Sequence, residues 1–108
     1  MLEVLLGSKS AERVLIFIFA RQKGYARQVA RFFETGFFPI HSQLERLEYA
    51  GVLVSRSVGR TREYEFNPRY PFLVELRGLL EKALSFYPED LRESLLMDRR
   101  RPRRAGKE

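Results

Sequence analysis

The chain has 108 residues, 44% hydrophobic and 31% charged, with nine Phe, five Tyr and a net charge of +6. This suits one globular domain with its own core, so two catalytic domains do not fit and neither a metal nor disulfides are needed to hold the fold. The absence of Cys excludes disulfide frameworks, thiolate zinc sites, iron–sulfur clusters and a cysteine nucleophile, and the one His, His41, cannot build a metal site alone.

In chain order, Ser10 reads as the N-cap of a first helix from Ala11 to about Gln22, apolar around most of its circumference from Val14 to Phe19 and closed by Gly24. A second helix runs from about Tyr25 to Glu34, with Val29, Phe32 and Phe33 inward and Arg27, Gln28 and Arg31 outward. After a break at Thr35–Gly36, a third helix from about Phe38 to Ala50 carries Pro39 in its first turn and an apolar row at Ile40, Leu44 and Leu47. Phe37 and Phe38 are expected to pack against the second helix. Beyond Gly51 the period becomes alternating. Val52 to Val58 and Thr61 to Phe66 then form a hairpin around Gly59–Arg60, ended by Asn67–Pro68. A fourth helix from about Pro71 to Phe86 bears a wide stripe of Phe72, Leu73, Leu76, Leu79, Leu80, Ala83 and Leu84. Pro88 separates it from a short last helix, about Glu89 to Met97.

The longest apolar run, Val14 to Ala20, is far below the ~20 residues that span a bilayer, and Glu3 and Glu12 do not suit a cleaved export signal. A soluble cytoplasmic protein without a membrane partner is expected. Charge is segregated along the chain. Lys9 to Arg31 holds six cations against Glu12, Arg69 to Asp98 holds four cations against six anions, and Asp98 to Glu108 holds six cations against two anions. A basic first half with a slightly acidic C-terminal helical part fits a polyanion-binding face backed by a protein-facing one. The Arg-rich tail is read as disordered.

Helices, a hairpin and a long helix follow in the order of a winged helix-turn-helix, and particular residues sharpen the likeness. These are Val29–Ala30, Ile40, and the run Leu44-Glu45-Arg46-Leu47-Glu48-Tyr49-Ala50-Gly51-Val52-Leu53. The segment from about residue 4 to 86 resembles the ArsR-like winged-helix regulators through their L-x-x-L-x-x-A-G-L-[LV] run into the wing. Gly7-Ser8 and Phe66-Asn67-Pro68 resemble the subgroup found beside nucleotidyltransferase domains. The chain departs from the family at Glu34, where Gly is usual, and at Gly36-Phe37-Phe38-Pro39, where small polar residues open the recognition helix. It also lacks the Cys-rich or His/Asp-rich ligand sets of the metal-sensing branch.

The fold expected is mainly α with a small β-hairpin: a three-helix core, a two-stranded wing and C-terminal dimerisation helices. Residues 1–87 form the DNA-binding domain with its dimerisation helix, 88–98 a short helix and 99–108 a basic tail. On this reading the third helix enters the major groove of double-stranded DNA, presenting His41, Ser42, Gln43, Glu45 and Arg46, with Arg46 suited to guanine and Gln43 to adenine. The same positions also suit a solvated helix face. Arg56, Arg60 and Arg62 on the wing are expected to reach phosphates or the minor groove, the alternative being a charge-protected edge strand. Arg27, Arg31 and Lys9 would complete a ring of phosphate contacts. The apolar stripe exceeds what a domain of this size covers, so a homodimer is expected through Phe17, Phe72, Leu76, Leu79, Leu80, Ala83 and Leu84. No cofactor and no enzyme activity are expected, because the sequence has no phosphate loop, no Ser/His/Asp set and no metal-ligand cluster. A regulator, acting as a repressor, is the reading; the effector and operator are not legible. The competing class is a protein-interaction module of the same shape, an antitoxin-like partner of a nucleotidyltransferase.

Overall fold

The computed structural model describes residues 1–97, and the basic tail lies outside them. The order is α1 (Glu3–Leu6), α2 (Lys9–Arg21), α3 (Ala26–Phe32), α4 (Phe37–Tyr49), β1 (Leu53–Val58), β2 (Thr61–Phe66), α5 (Leu73–Ser85) and α6 (Glu89–Met97). The third helix expected from sequence is therefore α4, because a four-residue turn of helix precedes the rest. Ser8, not Ser10, caps α2: its Oγ accepts from the Ala11 N–H at 3.0 Å, and Gly7 ends α1 with φ 105° immediately before it. Closure of α2 also differs from expectation, since Gln22 takes the left-handed conformation (φ 78°) and frees Gly24 for another role.

α2 runs through the middle of the molecule, packed by α1, α3, α4, α5, α6 and β2. Its near-continuous apolar circumference is thereby buried: Val14, Leu15, Ile16, Phe17, Ile18 and Ala20 all belong to the core. α4 contributes Ile40, Leu44 and Leu47, α5 contributes Leu80, Ala83 and Leu84, and α6 contributes Leu95. Arg21, in the last turn of α2, donates to the carbonyls of Leu95 at 2.9 Å and Ser94 at 3.0 Å and lies over the rings of Phe17 and Phe32. That contact holds α6 onto the same core.

The hairpin pairs Leu53 with Phe66 through Val58 with Thr61. Gly59 turns its tip with φ 62°, and Gly51 ends α4 with φ 87°. Asn67 locks the base, donating from its side chain to the Gly51 carbonyl (2.9 Å) and from its backbone to the Val52 carbonyl (2.9 Å). Gly24 forms an isolated antiparallel bridge with Tyr64, with bonds of 3.0 and 2.8 Å, so the segment between α2 and α3 acts as a one-residue third strand. The architecture is a winged helix: a helical core in which α3 and α4 meet at a tight corner, with a two-stranded wing projecting beside α4.

Candidate nucleic-acid interface

The buried row Ile40, Leu44 and Leu47 fixes which side of α4 faces away from the core. Phe38, Ser42, Glu45 and Tyr49, at i, i+4, i+7 and i+11, form its outermost line, and all four are exposed. Ser42, Glu45 and Arg46 are exposed and His41 and Gln43 half-buried, so the structure places all five sequence-identified positions of this helix outside the core. Phe38 and Tyr49 were not expected there. Phe38 is 77% exposed and Tyr49 96%. Phe37 alone packs inward, its ring stacked on His41 (5.2 Å, 14°) and edge-on to Phe38 (5.3 Å, 80°).

The two flanks of α4 differ. On one, Arg46 Nε donates to Gln43 Oε1 at 2.8 Å and its Nη2 to the Leu6 carbonyl at 3.3 Å, which ties this pair to α1. On the other, a cleft of about 330 Å³ opens between α4 and the wing, lined by Arg27, Phe37, His41, Arg60, Arg62 and Tyr64 among others. The Arg27 guanidinium lies over the Phe37 ring at 5.0 Å. Across from it, Arg62 donates to Ser55 Oγ (3.0 Å) and Ser57 Oγ (3.1 Å), while Ser55 donates to Glu48 Oε2 (2.7 Å). A relay from α4 through β1 thus aims the Arg62 guanidinium. His41 Nε2 stands 3.3 Å from Glu45 Oε2. Burial, and then the carboxylates of Glu48 and Glu45, push the Tyr64 hydroxyl above its ordinary range, against an opposing pull from Arg62.

The three wing arginines do not converge. Strand alternation puts Arg62 with Tyr64 and Phe66 on the face toward α4, whereas Arg56 is on the opposite face, 3.8 Å from its cross-strand partner Glu63. Arg60, beside the tip, makes no ion pair among the described residues. Arg31 is exposed on α3 but does not line the cleft, and Lys9 lies by a separate cleft with Glu12, Arg13 and Tyr87. Of the residues expected at a dimer seam, Phe17, Leu80, Ala83 and Leu84 are consumed by the chain's own core, because α2 seats on that side of α5. Phe72 remains 62% exposed, and Leu76 and Leu79 half-buried.

No His, Cys, Asp or Glu group among the described residues could hold a metal, and no described helix is long and apolar enough to cross a membrane. No family model matches the sequence, and no curated protein matches it. Among solved structures, a doubly substituted variant of Lactococcus lactis ZitR in apo form is similar, with a TM-score of 0.55 and 15% identity over 81% of this chain and 74% of that one. The likeness bears out the winged-helix fold.

Proposed function

We propose that the protein is a sequence-specific double-stranded DNA-binding regulator of the ArsR-like, non-metal-sensing kind, acting as a cytoplasmic homodimeric repressor by occlusion. The observation that carries this reading is the cleft between α4 and the wing. There Arg27, Arg60 and Arg62 stand around one flank of α4, with Glu45 the sole carboxylate lining it among the described residues. A helix of this width fits the major groove, and cations beside it on a projecting ribbon reach the flanking backbone. Ser42, Glu45 and, once released from each other, Gln43 and Arg46 supply the base-edge chemistry, while His41 and Arg31 sit at its margins. Arg56 joins only if Glu63 yields it. No catalytic role, cofactor or metal is assigned to any residue.

Selection of genomic fragments with purified protein tests binding and supplies the site. Retention on random duplex DNA should fall steeply with salt, and Arg60→Ala should weaken binding to all sequences while reducing the log–log salt slope by about one. An unchanged slope removes Arg60 from the phosphate contacts. The exposed rings of Phe38 and Tyr49 favour one second reading, a protein-interaction module partnering a nucleotidyltransferase; coelution with such a protein and no retention on DNA would establish it.

A further inference from the structure

Phe38 occupies a position that the core does not explain. It is the second residue of α4, 77% exposed, and its neighbour Phe37 takes the inward place that either ring would fill. Its ring is nevertheless held. Phe37 meets it edge-on at 5.3 Å, and Phe37 is itself braced by His41 at 5.2 Å and by the Arg27 guanidinium at 5.0 Å. Pro39 follows in the first turn, where its missing N–H costs nothing and its ring stiffens the backbone beneath Phe38. The result is a braced apolar edge at the N-terminal end of the helix face, with the Arg27 guanidinium beside it.

We propose that Phe38 reads a thymine, packing its ring against the C5-methyl group in the major groove; the inference rests on the DNA-binding reading above. Residues at the N-terminal end of a recognition helix are those that meet base edges, and the thymine methyl is the one apolar feature the major groove presents. The neighbouring positions of the outer line are polar, with Ser42 able to pair with any base and Glu45 able to accept from cytosine N4. Phe38 alone on that line's leading end matches a methyl. Arg27 beside the same aromatic pair supplies the positive charge that draws the duplex backbone toward it.

The test uses the full chain and a duplex obtained by fragment selection, with each thymine replaced in turn by deoxyuridine, which removes only the methyl. The unmodified protein should lose about fourfold in affinity at one thymine per half-site, the worth of one buried methyl. In Phe38→Ala that sensitivity should disappear while affinity for random duplex is retained, and Phe38→Leu should restore part of it. Circular dichroism confirms the fold of each variant, which the exposure of Phe38 favours. What overturns the assignment is a set of thymines that are all insensitive, or a deoxyuridine penalty that is the same in Phe38→Ala. Loss of a protein partner in Phe38→Ala with DNA affinity and methyl sensitivity unchanged would overturn it equally. If the unmodified protein binds no duplex, the DNA-binding reading falls first and the assignment of Phe38 with it.

Discussion

Glu34 holds a left-handed backbone (φ 54°) at the corner between α3 and α4, where the Thr35 N–H reaches the Ala30 carbonyl at 2.9 Å. A residue with a Cβ pays for that conformation where glycine does not, and Glu34 is exposed, with no packing to offset it. Glu34→Gly should therefore stabilise the fold by about 0.5–1 kcal/mol net of the extra freedom glycine has when unfolded, read as a higher urea midpoint at unchanged slope. A lower midpoint would mean that the corner is not strained. Glu12 presents the opposite case, a carboxylate only 4% exposed inside the core. It accepts from the Leu2 N–H at 2.7 Å and from the Tyr87 hydroxyl at 2.6 Å, joining the start of the chain to the α5–α6 link. Tyr87→Phe withdraws one donor from a buried carboxylate and should cost about 1.5–3 kcal/mol. Burial, and then Glu12, raise the Tyr87 hydroxyl above its ordinary 10.0. Its folded-state value lies above its unfolded one, so the protonated hydroxyl contributes fully below pH 10 and that contribution is lost as pH rises beyond it. Denaturation midpoints measured across the alkaline range should fall less steeply in Tyr87→Phe than in the unmodified chain; because Tyr64 is raised as well, some slope remains.

At the scale of elements, the junction between the helical core and the wing depends on Gly24. A Cβ there would lie 2.9 Å from two atoms of the Phe17 ring, and Phe17 is fully buried and cannot retreat. Gly24→Ala should cost about 1–3 kcal/mol and loosen the bridge to Tyr64, seen as faster exchange of the Tyr64 amide; retention of both stability and protection would show that the ring adapts. This junction was illegible in the sequence, since a single bridge spanning forty residues leaves no local pattern, and Gly24 was read instead as a helix terminator. Periodic elements were legible: Ile40, Leu44 and Leu47 face inward as their spacing requires, and the hairpin turns at Gly59. α1 was missed because four residues carry no period. The end of α1 at Gly7 moves the cap of α2 from Ser10 to Ser8, and a helix too short to show a period leaves no sign of that end in the sequence. The same limit applies at the site. Spacing identified the outward side of α4, but it could not decide which of two adjacent phenylalanines turns in, nor that Arg56 and Arg62 point to opposite faces of the wing until the register placed Arg56 against Glu63.

For the whole molecule, the stripe on α5 was read as surplus to one core, and most of it proves not to be: Leu73 and Leu76 pack against the core and three more residues are buried in it. Leu80, Ala83 and Leu84 are covered by α2, because amphipathic width in a sequence does not say which neighbour covers it. What remains open is a narrower row at helical spacing, Phe72, Leu76, Leu79 and Phe86, whose ends are 62% and 68% exposed and whose middle is half-buried, Leu76 against the chain's own core. It extends over about 21 Å of helix, enough for a two-fold contact of α5 with its copy. On the proposed DNA-binding reading a second copy also answers a functional need: one α4 would meet only a few base pairs, whereas two, carried to successive major grooves about 34 Å apart, would read a pseudo-palindromic site. The expected outcome is a dimer in sedimentation equilibrium at tens of micromolar. Phe72→Glu places a charge at the open end of the row and should yield folded monomers that bind the selected duplex much more weakly. Leu80→Glu, by contrast, buries an unpaired carboxylate in the core and should unfold the chain, so it does not report on assembly. A monomer in the unmodified protein would refute the dimer, and the expectation of paired half-sites would go with it.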